Sequence, residues 1–417
     1  MDKIVVQGGN PLRGAVSISG AKNAVLPILA STLLTRGRNQ ITNAPKVKDV
    51  NTMLELIRDL GGTIESWKDG EVAIDTEPLH KTEARYDLVA TMRASCLVLG
   101  PLVARLGEAR VSLPGGCAIG ARPIDLHIKG LEALGAEIHV KEGYIHARAK
   151  TLKGAHYCFD TVSVTGTQNL LMAAALAEGE TVLENAAREP EVAFLADVLN
   201  QSGAKIEGAG TDTVTINGVS ALEPIECRIF PDRIEAATYL IAGAITGGEI
   251  EVQDCLPNHV EPVVLKLREA GVTVQTSETT MYVKANGAVK SANIRTQPHP
   301  GFPTDVQAQF MALMTLAEGQ SVIMETVFEN RFMHAAELNR LGADILIEGH
   351  TAVIRGVKGL SGSPVMATDL RASASLVLAA LAAKGETIIS RVYHIDRGYV
   401  SMEKKLSNLG ATIKRVK

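Results

Sequence analysis

Apolar residues recur along this chain in one phrase that appears six times: LIRDLGGTI, LEALGAEIHV, LNQSGAKIE, LREAGVTVQ, LNRLGADILI and LSNLGATIKR. In each copy, leucines at helical spacing run into a glycine, and a short strand-like segment follows. The glycines are Gly61, Gly135, Gly203, Gly271, Gly342 and Gly410, at intervals of 74, 68, 68, 71 and 68 residues. This pattern predicts a helix closed by a left-handed glycine and then a strand. A second phrase precedes each corner: LLTRGRNQITNA, LVARLGEARVSLPGG, LAEGETVLENA, ITGGEIEVQDC, LAEGQSVIMET and LAAKGETIISRV. It predicts an Ala/Leu-rich helix, a glycine turn and a second strand.

One repeat therefore reads helix, turn, strand, loop, helix, turn, strand, with a further β segment after it. Six such repeats fill the chain and predict an α/β fold. A single core rarely extends past about 250–300 residues, so 417 residues predict two domains. No Gly/Ser-rich or Pro-rich linker marks the division, and three repeats per domain puts it near Arg228 to Asp232.

Composition narrows the function. The net charge is −4 with both signs interspersed, which excludes the basic stripe of a nucleic-acid binder. Five cysteines, an odd number scattered through a long chain, argue for reduced thiols and a cytoplasmic setting. No apolar stretch approaches the roughly 18 residues of a membrane span, and the start of the chain lacks the apolar core of an export signal. There is no P-loop, no zinc-ligand spacing, no Ser-His-Asp order and no GxGxxG on a strand–helix turn, so neither a metal nor a cofactor is expected.

Function is sought where the repeats differ. The loop from Leu113 to Leu126 sets Cys117 among Gly115, Gly116 and Gly120, ahead of Arg122-Pro123 at a helix start. A thiol near a guanidinium and a helix N-terminus ionises more readily than one in apolar surroundings, which separates Cys117 from Cys96 and Cys255. The loop of the sixth repeat carries Tyr393, His394, Asp396 and Arg397 just before a helix. Lys22, Arg93, Arg233 and Arg371 stand at helix starts, where the macrodipole disfavours cations, so they need anionic partners. Asp232, Asp305 and Asp369 occupy similar positions and could serve as N-caps; Asp305 is the one expected to do chemistry.

The segments SGAKNAVLPILAS around Lys22 and Asn23, TMRAS around Arg93, LPGGCAIGARPIDLH around Cys117, FPTDVQAQ around Asp305 and IDRGY around Arg397 occur in the order found in the enolpyruvyl transferases, which the chain resembles over its full length. The resemblance implies two similar inside-out α/β barrel domains, each of three βαβαββ units with helices inside and sheets outside. It places one domain at 22–229 and the other at 1–21 plus 230–417. It also implies two substrates, phosphoenolpyruvate and UDP-N-acetylglucosamine, and no obligatory protein partner. Cys117 then resembles the family's proton donor to C3 of phosphoenolpyruvate, and can attack C2 to give a thioether adduct. Asp305 looks like the group that handles the sugar 3′-hydroxyl proton. Lys22, Arg122 and Arg397 match positions that hold the carboxylate and phosphate, and Asn23 the hydroxyl or intermediate. Arg93, Arg122, Pro123, Ile124, Asp125, Leu126, Ser163, Val164, Asp305 and Val327 match positions around the sugar nucleotide, and Arg371 is expected at an anion. Leu97 and Thr161 depart from residues that some relatives carry. A sister reaction on shikimate 3-phosphate uses no cysteine in this loop, and a silent sugar-nucleotide binder has no need of Lys22, Cys117, Asp305 and Arg397 together.

Overall fold

A computed structural model of the chain describes residues 2–113 and 124–417. Among them the repeats form six four-stranded sheets of one plan. In the sheet of the first repeat, Glu226–Arg228 lies parallel to Arg38–Thr42, Glu71–Asp75 pairs antiparallel with that strand, and Thr63–Lys68 closes the edge antiparallel. The fifth repeat places Ile294–Arg295, Gln320–Met324, Thr351–Arg355 and Asp344–Glu348 in the same order and sense. One face of each sheet is covered and one faces water, so the strands alternate as a half-buried strand must. Glu249–Gln253 buries Ile250 and Val252, and Lys3–Gln7 buries Ile4 and Val6.

The six corner glycines adopt the left-handed backbone expected of them, with φ between 83° and 106°. At the first corner Gly61 N–H donates to Arg58 O and Gly62 N–H to Ile57 O, both at 3.0 Å. These bonds satisfy carbonyls that the end of a helix otherwise leaves without a partner.

Two compact units result. One comprises 20–113 and 124–230. Its helices Lys22–Ser31, Leu99–Leu106 and Val164–Ala174 are mostly buried. The other comprises 2–19 and 231–417, with helices Arg233–Ile245, Gln307–Met314 and Leu370–Ala382 packed on one another. All 13 residues of Arg233–Ile245 are buried. Helices apolar on every side must be surrounded, which puts them inside and the sheets outside, as the resemblance implies. Small residues allow the close approach: a Cβ at Gly243 would meet Val283 at 2.8 Å. The start of the chain completes the second unit. Lys3–Gln7 lies between Glu386–Ser390 and Thr412–Val416, and Arg13–Ser17 runs parallel to Glu249–Gln253. No helix among the described residues is long and apolar enough to cross a membrane.

Candidate active site

In the first unit, Lys22 opens helix Lys22–Ser31, and its Nζ lies 2.8 Å from Asp49 Oδ2 on helix Lys48–Asp59. Both side chains are largely buried. Part of the anionic demand of this helix-start lysine is thus met within the protein, and its neighbour Asn23 is half-buried.

A directed chain of hydrogen bonds supports the neighbouring elements. Asn169 Oδ1 accepts from Gly100 N–H at 2.8 Å, so its amide nitrogen is the one facing His127 Nδ1, at 2.9 Å. His127 Nδ1 must therefore accept, and Nε2–H donates to Thr165 Oγ1 at 3.2 Å. Burial, with a smaller push from Arg93, drives the imidazole down to about 3. This neutral ring ties helix Asp125–Ala133 to the start of helix Val164–Ala174. Several expected contact residues sit at these two helix starts. Ile124 is the N-cap position and Asp125 is exposed, while buried Leu126 offers its carbonyl to Tyr157 at 3.4 Å. Ser163 caps the second helix by accepting from Gly166 N–H, beside half-buried Val164. Arg93, half-buried, opens a 3-10 turn, Arg93–Val98. Of the departures, Leu97 is buried and Thr161 exposed.

In the second unit, the three aspartates at helix starts divide by role. Asp232 accepts from the N–H groups of Ile234 and Glu235, and Asp369 from those of Arg371 and Ala372; both are N-caps. Asp305 instead lies between two cations. Arg331 Nη2 donates to Oδ1 at 2.7 Å, and Arg371 Nε and Nη2 reach Oδ2 at 3.2 and 3.0 Å. Burial alone would raise its carboxyl, but Arg371 and Arg331 together outweigh burial and hold it well below the usual carboxylate range. Arg371 is 5.5 Å from the centroid of the Tyr399 ring, and Gln309 Nε2 donates to Asp305 O at 3.0 Å and to Thr238 Oγ1 at 3.1 Å. The result is an ionised acceptor in a rigid cationic frame.

Arg397 ends the 3-10 turn Val392–Arg397 and is half-buried. Its neighbour Asp396 is taken up by Arg415, which also reaches Glu403 and Asp2. Asp396 therefore braces the turn. Val327 is half-buried outside the core, and its N–H donates to Glu325. Cys117, Arg122 and Pro123 lie outside the described residues. Among the other cysteines, Cys96 and Cys255 are buried. Burial pushes the Cys227 thiol up to about 12 and the Cys255 thiol up to about 11.

The structure thus joins Asp305 to Arg371 and adds partners that sequence reading passed over: Asp49, His127 and Arg331. Arg331 had a usable signal, since its loop carries a cation where the second, third and sixth repeats carry Arg122, Arg188 and Arg397.

A helical interior and outward sheets accord with the comparisons to known proteins. The family model for EPSP synthase (3-phosphoshikimate 1-carboxyvinyltransferase) matches residues 6–406, and the chain belongs to this family of carboxyvinyl transferases. Within the family, it is 59% identical to the UDP-N-acetylglucosamine 1-carboxyvinyltransferase of Geobacter metallireducens over 417 residues, covering 100% of both chains. It is also 59% identical to that of Myxococcus xanthus over 421 residues, again covering 100% of both. Among solved structures, the enolpyruvyl transferase NikO from Streptomyces tendae matches at 26% identity with a TM-score of 0.90, over 100% of this chain and 99% of that one. An EPSP synthase from Acinetobacter baumannii, 20% identical with a TM-score of 0.77 over 100% of both chains, shares the fold.

Proposed function

We propose that the chain transfers the enolpyruvyl group of phosphoenolpyruvate to the 3′-hydroxyl of UDP-N-acetylglucosamine and releases phosphate, in the cytoplasm, as the first committed step of peptidoglycan synthesis. The observation that carries this reading is end-to-end identity with carboxyvinyltransferases named for that acceptor. The loop PGGCAIGARP supports it against the shikimate reaction.

The chemistry follows from the reactants. C2 of phosphoenolpyruvate becomes electrophilic only when C3 takes a proton, and Cys117 supplies it; the thiolate left behind can also capture C2 as a thioether. The 3′-oxygen bonds to C2, either directly or as the C2–S bond of the thioether breaks and returns the thiolate, giving a tetrahedral ketal. Loss of a C3 proton and cleavage of the C2–O bond to phosphate restore the enol ether. Lys22, Arg122 and Arg397 hold the phosphate and carboxylate as charge moves onto them. Asn23 holds the hydroxyl or the intermediate. Arg93, residues 122–126, Ser163, Val164 and Val327 line the sugar nucleotide, with Arg371 acting through Asp305. A carboxylate held as low as Asp305 is a weak base, so it orients the 3′-hydroxyl and takes its proton only as the C–O bond forms.

Steady-state phosphate release tests the reading. Release is expected with phosphoenolpyruvate and UDP-N-acetylglucosamine and not with shikimate 3-phosphate; the opposite preference overturns it.

A further inference from the structure

Glu325 follows strand Gln320–Met324 and is 1% exposed. Its carboxylate takes four donors. Oε1 accepts from Thr296 Oγ1 at 2.7 Å and from the N–H groups of Val327 and Phe328 at 2.8 and 3.1 Å, while Oε2 accepts from Thr304 Oγ1 at 2.9 Å. Thr304 has one hydroxyl proton and gives it to Glu325, so its lone pair receives Arg331 Nη1 at 2.8 Å. The other arm of that guanidinium, Nη2, holds Asp305. Arg331 is thus gripped at two points, and every bond from Asp305 back to Glu325 has one permitted direction.

The fold does not require a glutamate here. The residue after the equivalent strand is Asn43, Asn185, Asp254 or Arg391 in the first, third, fourth and sixth repeats, each with left-handed φ. Neither Glu325 nor Leu113 of the second repeat has that conformation, and among the described residues at this place Glu325 is the one buried carboxylate. A buried carboxylate is costly unless its lone pairs are satisfied. Capping the Val327–Phe328 turn needs only two acceptor sites, and the link through Thr304 is additional.

We infer that Glu325 is a positioning residue for the transfer: through Thr304 it fixes Arg331 and so aims Asp305, and through two backbone N–H groups it fixes the Val327–Phe328 turn. This rests on the function proposed above. One buried side chain sets the hydroxyl-handling carboxylate and a sugar-nucleotide-facing turn relative to each other.

The two arms can be cut separately. Thr304→Val breaks the arm to Arg331 at both its bonds, to Glu325 Oε2 and to Arg331 Nη1, and leaves the Val327–Phe328 arm in place; it is expected to lower kcat about tenfold while leaving KM for UDP-N-acetylglucosamine within about twofold, since small misplacement of a reacting group is costly. Thr304→Ser keeps the hydroxyl and is expected to recover most of that loss. Glu325→Ala cuts both arms and is expected to lower kcat and raise KM, each by roughly tenfold. Should that variant fail to fold, the Thr304 pair carries the test. A normal kcat in Thr304→Val, or a Ser variant no better than the Val variant, overturns the positioning role while wild-type turnover leaves the reaction standing. A wild-type chain silent with UDP-N-acetylglucosamine overturns the reaction and this role with it.

Discussion

Asp305 meets Arg371 side-on, with Nε and Nη2 of one guanidinium on a single carboxylate oxygen at 3.2 and 3.0 Å. Arg331 takes the other oxygen, and the pair of cations keeps the carboxylate ionised across the working pH range. Replacing Arg371 with Met removes one of them and lets burial raise the carboxyl. If Asp305 handles the 3′-hydroxyl proton as proposed, activity needs it ionised, and the acid limb of the kcat profile is expected to move to higher pH by about one unit or more. An unmoved acid limb, measured at saturating substrates, would contradict the electrostatic account of this site.

Lys22 and Asp49 form a pair that is 12% and 3% exposed at the side chains. Replacing one partner of such a pair by a neutral residue costs up to roughly 3–5 kcal/mol. Asp49→Asn is therefore expected to lower the urea midpoint of unfolding by a matching amount. The double variant Lys22→Met, Asp49→Leu is expected to regain much of the loss. Equal destabilisation in the single and double variants would show that the ion pair is not what Asp49 supplies.

His127 links stability to pH. Its folded value of about 3 lies below the ordinary 6.5, so the unfolded chain binds the proton more readily. The neutral ring's contribution is complete above about pH 6.5 and is lost as pH falls toward 3. At pH 5 the loss amounts to about 2 kcal/mol. Urea unfolding at pH 7.5 and pH 5 is expected to show a loss larger by this amount in the wild type than in His127→Gln, since buried His334, held down to about 4, adds the same pH dependence to both proteins. The same pH dependence in both proteins would remove His127 as its source.

Much of the fold was legible in the sequence, because a glycine that must take positive φ is marked locally. Gly61 and Gly410, at opposite ends of the chain, announce the same corner in the same words. The site was less legible. FPDR, FPTD and ATDLR look alike as helix starts, yet Asp232 and Asp369 cap while Asp305 does not. What separates them is a pair of guanidiniums 26 and 66 residues away in sequence. Asn169 and His127 are likewise 42 residues apart. Such pairs are set by how repeats stack, which no local pattern records.

Thiol chemistry gives a separate prediction. Cys117→Ser is expected to lower turnover by about 100-fold, the usual weight of a positioned acid. A phosphonate epoxide that mimics phosphoenolpyruvate, such as fosfomycin, is expected to alkylate Cys117 alone. Cys158, which is exposed, is the internal control for indiscriminate reaction. Peptide mass mapping that finds the adduct on Cys158, or on no cysteine, would count against Cys117.

The most direct measurement is the identity of the product. The wild-type chain is incubated with phosphoenolpyruvate and UDP-N-acetylglucosamine, and the nucleotide is analysed by mass spectrometry and NMR. A nucleotide sugar carrying one enolpyruvyl group in ether linkage at the 3′-oxygen, formed in step with one equivalent of phosphate, is the expected result. Unmodified UDP-N-acetylglucosamine, or phosphate released without the ether, would contradict the account.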